Sequence, residues 1–297
     1  MKPIPAIPRK GLYPLPLAVF LLATASATPA LALQGSLTGL LVKAENIVFT
    51  GNKDTPTEDL RTILREAGTV TANLPVERMD VYDGNRLTHA INMLAAFYRN
   101  RGFVKATIGQ PEFDLGSEAE TRVRLRLAVS EGTRYELEDI RIVGATALSP
   151  AVLTSLLNLQ KGRPVNLSKI NIGALAIRET YLTLGYLDVV ISPALDAPEG
   201  KRRATLTVRI EEGKQYRVGE ISFVGPSVIK ESLLREFLPL KTGDMFGQKA
   251  FEGCLASLNE LGITPLLTPE DADFDFDSGK GTVNVAIHLN GKTKEQK

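Results

Sequence analysis

Hydrophobic and polar positions follow the same order three times along the chain. Each repeat opens with a short alternating segment that ends in glycine, which predicts a half-buried strand followed by a turn. Two stretches with apolar residues at helical spacing come next, and an alternating segment closes the repeat. The three opening segments are residues 47–51, 140–144 and 221–225. Repetition of a unit of this size predicts an array of small modules, and such arrays usually form binding surfaces.

The second helical stretch of each repeat has an apolar stripe that predicts which of its residues are buried. The stripe residues are Leu87, Ile91, Leu94 and Tyr98 in the first repeat, Ile177 and Tyr181 in the second, and Phe251, Cys254, Leu255 and Leu258 in the third. The closing segment alternates, as in Leu206, Val208 and Ile210. Each repeat is therefore predicted to be a β-α-α-β-β module, with a three-stranded mixed sheet and two helices on one face. This is an α+β arrangement.

The repeats follow one another with almost no linker. The predicted segments are a signal peptide at 1–32, an N-terminal segment at 33–43, module 1 at 44–134, module 2 at 135–215, module 3 at 216–292 and a tail at 293–297. Both junctions share the pattern Glu-Gly-x-x-Tyr-x-apolar, beginning at Glu131 and Glu212. A module of about 75 residues is marginally stable alone, so we expect neighbouring modules to contact each other in a semi-rigid, elongated array.

The first 32 residues have the three-part layout of a secretory signal peptide. Three basic residues within positions 2–10 precede an apolar run at 15–27, and the small-x-small site Ala30-Leu31-Ala32 follows. We therefore expect residues 1–32 to be removed on export. The alternative is an uncleaved N-terminal anchor, although the apolar run is shorter than the ~20 residues that a membrane-spanning helix needs.

Charge and cysteine content narrow the range of functions. Residues 1–32 hold three of the 35 basic residues and none of the 34 acidic ones, so the rest of the chain has a net charge of −2. This balance argues against a nucleic-acid partner. The single cysteine, Cys254, lies on the apolar stripe of a predicted helix and is interpreted as a small buried hydrophobe.

Candidate catalytic residues are few. His89 and His288 fall in different modules, with no acid or nucleophile at matched spacing, and we interpret both as exposed polar histidines. The sequence contains neither a phosphate-binding loop nor a Gly-x-Ser-x-Gly motif. We therefore predict a protein that is not an enzyme, with no cofactor and no small-molecule substrate.

One acidic run has a partial resemblance to a calcium-binding loop. Asp273, Asp275 and Asp277 have the spacing of the first three ligands of an EF-hand. Ser278 and Asn284 stand where that loop needs glycine and glutamate. We therefore interpret the run as the solvated loop of the last hairpin and predict no metal site.

The ordered motifs resemble those of the polypeptide-transport-associated (POTRA) domain. They comprise an early glycine, Leu-x-x-Gly-x-x-apolar between the helices, Tyr-x-x-x-Gly-aromatic after the second helix, and a closing Glu-Gly. The glycines of these motifs are Gly51, Gly102, Gly144, Gly185, Gly225 and Gly262. Tandem copies are similar to the periplasmic part of BamA/TamA-type outer-membrane assembly factors. Module 3 departs from the pattern because it lacks the tyrosine and the closing glutamate.

This resemblance implies an exported, periplasmic scaffold associated with the outer membrane of a Gram-negative-type bacterium. It implies two kinds of partner, namely unfolded or extended outer-membrane protein clients and an outer-membrane β-barrel protein. In the family, the first strand of the closing hairpin is the edge to which another strand adds. The corresponding residues here are Val104, Lys105, Ala106, Thr107 and Ile108 in module 1, Leu187, Asp188, Val189, Val190 and Ile191 in module 2, and 264–267 in module 3.

The sequence leaves two questions open. Members of this family usually continue into a membrane β-barrel, for which residues 293–297 leave no room. We therefore expect either a periplasmic partner without a barrel or the N-terminal part of a broken or split gene. The alternative function is that of a structural envelope or cell-division protein, which requires the uncleaved N-terminal anchor.

Overall fold

The computed structural model describes residues 42–70, 81–82, 84–114, 124–227 and 229–291. The predicted signal peptide and tail lie outside the described residues. Three mixed sheets, each with helices packed on one face, confirm the α+β fold predicted from the repeats. None of the helices in these ranges is long and apolar enough to span a membrane.

Module 1 contains two helices and a sheet whose edge strand is divided. Its elements are β1 (Val42–Lys43), β2 (Ile47–Thr50), α1 (Thr57–Val70), β3 (Val81–Tyr82), α2 (Gly84–Asn100), β4 (Thr107–Ile108), β5 (Glu112–Asp114) and β6 (Arg124–Ser130). β4 and β5 both pair antiparallel with β6, while β1 and β3 form a separate two-stranded sheet.

Modules 2 and 3 each have the predicted five elements. Module 2 consists of β7 (Glu136–Val143), α3 (Pro150–Leu157), α4 (Leu167–Thr183), β8 (Val190–Asp196) and β9 (Arg203–Glu211). Module 3 consists of β10 (Arg217–Val224), α5 (Glu231–Phe237), α6 (Gln248–Glu260), β11 (Ala272–Asp277) and β12 (Thr282–His288), with a short 3-10 turn at Pro269–Asp271.

The three sheets share one topology. The first and last strands of each module pair in parallel, as in β2 with β6, β7 with β9 and β10 with β12. The first strand of the closing hairpin pairs antiparallel with the last strand. The last strand is therefore central, and the first strand of the hairpin lies at an edge, as the resemblance implied.

Burial follows the predicted periodicities. In β6, Leu125, Leu127 and Val129 are buried while Arg124 and Arg126 are exposed, so one face of the sheet packs on the helices. The predicted stripes of the second helices are buried, apart from Ile91, which is half-buried. Cys254 is 1% exposed within the core of module 3, which confirms its interpretation as a core residue.

The first helices of modules 2 and 3 begin differently. Ser149 caps α3 by accepting a hydrogen bond from the Val152 N–H, and Pro150 occupies the first turn. In module 3, α5 begins only after Lys230. Ser227 instead accepts a hydrogen bond from the Ile229 N–H at 3.1 Å, so it stabilises a turn before the helix.

Candidate functional site: sheet edges and module junctions

The predicted edge residues lie only partly on edge strands, which corrects the prediction. In module 1 only Thr107 and Ile108 are in a strand, and in module 2 only Val190 and Ile191 are. In module 3 the edge strand is β11, so residues 264–267 precede it. The edges begin later than predicted because the chain first makes a turn after each second helix.

The residues of this turn pack between modules instead of forming an edge. Val104 is 7% exposed and belongs to the hydrophobic core of module 2. Leu187, which occupies the same position in the second repeat, packs against the core of module 3. Val189 and Ala106 are also buried. Ala106 and Val189 belong to the cores of their own modules, whereas Val104 and Leu187 connect each module to the core of the next one.

The polar residues that follow Val104 and Leu187 contact the tyrosine at the start of the next module. The Lys105 ammonium lies 6.0 Å from the ring centroid of Tyr135. The Tyr216 hydroxyl donates a hydrogen bond to Asp188 at 3.0 Å. The sequence pattern Glu-Gly-x-x-Tyr contained this signal, because a tyrosine repeated at a module boundary predicts a contact across that boundary.

Backbone hydrogen bonds at the two junctions repeat closely. The Tyr135 N–H donates to the Gly102 carbonyl at 2.8 Å, and the Tyr216 N–H donates to the Gly185 carbonyl at 2.8 Å. Each tyrosine carbonyl in turn accepts a hydrogen bond from a residue shortly before the second helix of its own module. The donors are the Val165 N–H for Tyr135 and the Phe246 N–H for Tyr216, at 3.0 Å in both cases. We call these the first junction (modules 1 and 2) and the second junction (modules 2 and 3).

Glycine is required where the second helix meets the junction. Gly185 has a φ of +85°, a left-handed conformation that strains other residues. A Cβ at this position would lie 2.8 Å from the Tyr216 carbonyl oxygen, which is too close for a real contact. All six motif glycines have positive φ, but a Cβ at Gly262 would meet nothing within 4 Å among the described residues.

The closing glutamate of module 2 holds together three parts of that module. One Glu212 carboxylate oxygen accepts hydrogen bonds from the backbone N–H groups of Thr146 and Ala147 at 2.7 and 2.8 Å. The same oxygen accepts the Tyr181 hydroxyl at 2.7 Å. The second oxygen accepts the Thr146 hydroxyl. The end of β9 is thereby tied to the turn after β7 and to α4.

Module 1 contains the same arrangement. Glu131 accepts hydrogen bonds from the backbone N–H groups of Lys53 and Asp54 at 2.9 and 2.7 Å and from the Tyr98 hydroxyl at 3.0 Å. Burial and the neighbouring Glu131 raise the pKa of Tyr98 to about 12, although a hydrogen bond with Thr55 opposes this shift. The hydroxyl therefore stays protonated and can donate. In module 3 the residues equivalent to this tyrosine and this glutamate are Leu258 and Asn290.

The three hairpin edges differ in their capacity to accept another strand. In module 1 the edge is divided into two short strands, and Pro111 lies between them. In module 2 Pro193 lies in the middle of β8 and removes one backbone donor. β11 has six residues, contains no proline and pairs with β12 without a register shift. β11 is therefore the most continuous of the three edges.

The acidic run is the edge strand itself and not the hairpin loop, which corrects the interpretation from sequence. Asp273, Asp275 and Asp277 alternate with Ala272, Phe274 and Phe276 along β11. The apolar residues face the core, with Phe274 and Phe276 in edge contacts with other rings. The carboxylates consequently lie on the opposite face of the sheet. In the described part of the chain no group of acidic, histidine or cysteine residues could hold a metal ion.

Both histidines are half-buried, which corrects the prediction that they are exposed. His288 lies on the central strand β12 and its Nε2 is 2.8 Å from the Asp273 carboxylate on β11. His89 lies on α2. The pairing of His288 was not evident from the sequence because the register between β11 and β12 brings together residues 15 positions apart.

The fold and its edges define an array of small α+β modules with open sheet edges. A family model described as "POTRA: Surface antigen variable number repeat" matches residues 42–132, 135–213 and 216–291. The chain therefore belongs to the POTRA family. It also superimposes on the structure of POTRA domains 3–5 of Haemophilus influenzae BamA with a TM-score of 0.55 and 21% identity, covering 84% of this chain and 97% of that structure. This similarity confirms the fold.

Curated relatives include outer-membrane assembly factors. The chain is 24% identical over 173 residues to the outer membrane protein assembly factor BamA of Buchnera aphidicola, covering 58% of this chain and 28% of that protein. It is 26% identical over 230 residues to a putative outer membrane protein assembly factor of Treponema pallidum, covering 75% of this chain and 26% of that protein. The chain thus spans little more than a quarter of the length of these relatives.

Proposed function

We propose that the three modules form a non-enzymatic periplasmic scaffold that assists outer-membrane protein assembly or polypeptide transport. Membership of the POTRA family and the similarity to proteins named as assembly factors support this proposal. Extended segments of unfolded outer-membrane protein clients would pair with the free hairpin edges, and an outer-membrane β-barrel protein would dock on the array. Strand addition suits a protein with many clients, because main-chain hydrogen bonds do not depend on the client sequence.

The observation that carries the proposal is the open edge of β11. Among the described strands β11 pairs only with β12, over six consecutive residue pairs. The Asp277 carbonyl accepts the Gly281 N–H at 2.8 Å across the hairpin, so the backbone of Asp277 is directed toward β12. Because this direction alternates along a strand, Phe274 and Phe276 direct their N–H and C=O groups away from β12, while the Ala272 N–H donates to the Pro269 carbonyl. The backbone groups of Phe274 and Phe276 form a template for another strand.

The outer face of β11 adds a charge preference to this template. The exposed Asp273 and Asp275 side chains would lie beside the side chains of an added strand. Opposite charges at such neighbouring positions contribute roughly 0.2–1 kcal/mol for each pair. An extended segment with basic residues on one face would therefore bind more tightly than an acidic segment with the same backbone.

Hydrogen exchange of the purified protein with and without a short peptide of alternating valine and lysine tests this proposal. The expected result is slower amide exchange in 272–277 and little change in 190–196, where Pro193 interrupts the edge. Asp275→Lys should weaken binding. The matched control Asp196→Lys, which changes an exposed acid at the end of β8, should leave binding intact.

Strand addition at β11 would be refuted if the peptide slowed amide exchange at none of the three hairpin edges. Equal peptide binding by Asp275→Lys and Asp196→Lys would refute it as well. The barrel partner is tested separately by placing a photo-crosslinker at position 275 in cells. A crosslink to a β-barrel protein, lost when the crosslinker is moved to position 196, is the expected result. Crosslinks only to division or wall proteins would favour a structural role in the envelope.

A further inference from the structure

A cleft at the first junction has a composition that neither the fold nor strand addition explains. Its volume is about 470 Å³, and residues of both module 1 and module 2 line it. Four of these residues are cationic, namely Arg101, Arg134, Arg163 and Lys169. The other lining residues are amides, proline and aliphatic residues, so the described lining contains no carboxylate.

The four cations are exposed, and little of their charge is neutralised. Arg101 lies 3.6 Å from Asp59 and stacks on the Phe97 ring. Within the described part of the chain, no carboxylate is within ion-pair distance of Arg134, Arg163 or Lys169. Like charges that are gathered in one cleft repel each other, so their clustering has a cost unless an anion is bound.

The second junction provides an internal comparison. It has the same backbone hydrogen bonds, including Gly162 N–H to the Leu137 carbonyl at 2.7 Å in one junction and Gly243 N–H to the Val218 carbonyl at 2.8 Å in the other. Each cation has an equivalent position at the second junction. For the three arginines this position is found from the neighbouring glycine that both junctions share, and for Lys169 from the N-terminal caps of α4 and α6. The equivalent residues are Leu184, Gln215, Asp244 and Ala250. The junction geometry therefore forms without any cation at these positions.

At the first junction, the hydrogen bond that Arg134 makes with a backbone carbonyl does not need its charge. The Arg134 Nε donates to the Arg101 carbonyl at 3.0 Å. At the second junction the Gln215 side-chain amide donates to the Leu184 carbonyl at 2.9 Å. Because a neutral amide fulfils the same structural role, the positive charge of the first junction calls for a reason other than folding.

The lining favours a phosphate group over other anions. Arginine presents a planar fork of N–H donors that matches the oxygens of phosphate in pairs, and three arginines line this cleft. The cleft also lies at the N-terminal end of α4, where the helix dipole favours negative charge. Two N–H groups in the first turn of α4 already have acceptors, since the Ser168 N–H donates to the Asn100 side chain and the Lys169 N–H donates to the Asn166 side chain. Side chains would therefore supply the contacts.

We propose that the cleft at the first junction binds a phosphate-bearing ligand, held by Arg134, Arg163 and Lys169. Residues of both modules would contact the ligand, so its binding would also restrain modules 1 and 2 relative to each other. A lipid headgroup and a free phosphate share this chemistry. The site goes beyond the proposed strand addition, because it uses other residues in another part of the chain.

Two binding measurements on the purified protein test the proposal and distinguish the two sources of phosphate. Inorganic phosphate is titrated by calorimetry at low salt, and vesicles of phosphatidylglycerol are compared with vesicles of phosphatidylcholine by co-sedimentation. The double variant Arg163→Gln/Lys169→Ala should bind phosphate or the anionic vesicles about tenfold more weakly for each lost contact. The matched control Lys201→Gln/Lys249→Gln removes two exposed lysines elsewhere and should bind normally.

Each outcome decides the question. Calorimetric binding that only the cleft variant loses supports the site and assigns free phosphate. Binding to the anionic vesicles alone, again lost only in the cleft variant, supports the site and assigns a lipid headgroup. Equal losses in both double variants would show an unspecific charge effect and overturn the proposal. An absence of binding in both arms would also overturn it.

Discussion

Replacing Glu212 with glutamine is expected to destabilise module 2 at neutral pH and to have a much smaller effect in acid. The carboxylate accepts two backbone N–H groups and two hydroxyl groups, which come from the turn after β7 and from α4. Glutamine has nearly the same shape but lacks the charge, and it turns one acceptor into a donor. At least one N–H or hydroxyl group therefore loses its acceptor.

The magnitude follows from the pKa of Glu212. Partial burial raises this pKa, but hydrogen bonds from Ala147, Thr146 and Tyr181 outweigh burial and lower it from 4.5 to about 2. A shift of this size corresponds to an upper limit of about 3 kcal/mol. Glu212 is only half-buried, so screening by solvent reduces the expected loss to about 1–2 kcal/mol.

The pH dependence has a definite sign. Because the pKa in the folded state lies below the value in the unfolded state, the charged form stabilises the fold fully above about pH 4.5. This contribution disappears as the pH falls toward about 2, where the folded protein also takes up the proton. The difference in unfolding free energy between the wild type and Glu212→Gln should therefore shrink over this range.

Urea unfolding followed by circular dichroism, at neutral pH and at about pH 3, measures this difference. Native-state hydrogen exchange of α4 and β9 shows whether the loss falls on module 2. The control is Glu211→Gln, which removes an exposed carboxylate one position earlier, on the other face of β9. Equal effects of the two substitutions, or a Glu212→Gln effect that does not change with pH, would refute the argument.

Three further predictions concern the glycines and the cysteine. Gly144→Ala should cost about 3 kcal/mol in urea unfolding because its Cβ would collide with a backbone carbonyl of β9, whereas Gly200→Ala, with similar φ and open space, should cost only about 1 kcal/mol. Gly185→Ala should speed amide exchange across the second junction, while the equivalent change at Gly262 should not, since only Gly185 contacts the next module. The thiol of Cys254, whose pKa is raised by burial, should react with a thiol reagent only after unfolding, and rapid reaction of the native protein would contradict its core position.

The sequence was sufficient for the parts of the fold that depend on periodicity. The stripes on the second helices and the alternation in the closing strands determine which face is buried, because each apolar side chain must leave water whatever the remaining geometry. Leu94, Ile177 and Cys254 occupy the same stripe position in the three modules, and each is at most 1% exposed. The threefold repetition strengthens this inference, because the same buried position is indicated by the pattern of each module separately.

The sequence was not sufficient for the edges, because short apolar segments have no period of their own. Residues 104–106 and 187–189 have the pattern of the start of a strand, but they form a turn in which Val104 and Leu187 pack into the core of the next module. Burial at the junction decides the conformation of these segments, and it depends on contacts with residues far along the chain. The acidic residues of β11 likewise favour a loop in the sequence, because aspartate is rare in strands and the aromatic residues that contact Phe274 lie in other elements.

Module 3 shows why the tyrosine of the second helix and the closing glutamate form a single structural unit. A buried tyrosine hydroxyl needs a hydrogen-bond partner, and a partly buried carboxylate needs donors. Modules 1 and 2 satisfy both needs at once, at 3.0 and 2.7 Å. Module 3 has replaced both members, with Leu258 0% exposed in the core and Asn290 at the glutamate position. A change of only one member would leave a polar group without its partner. The absence of both residues is therefore compatible with a well-formed third module.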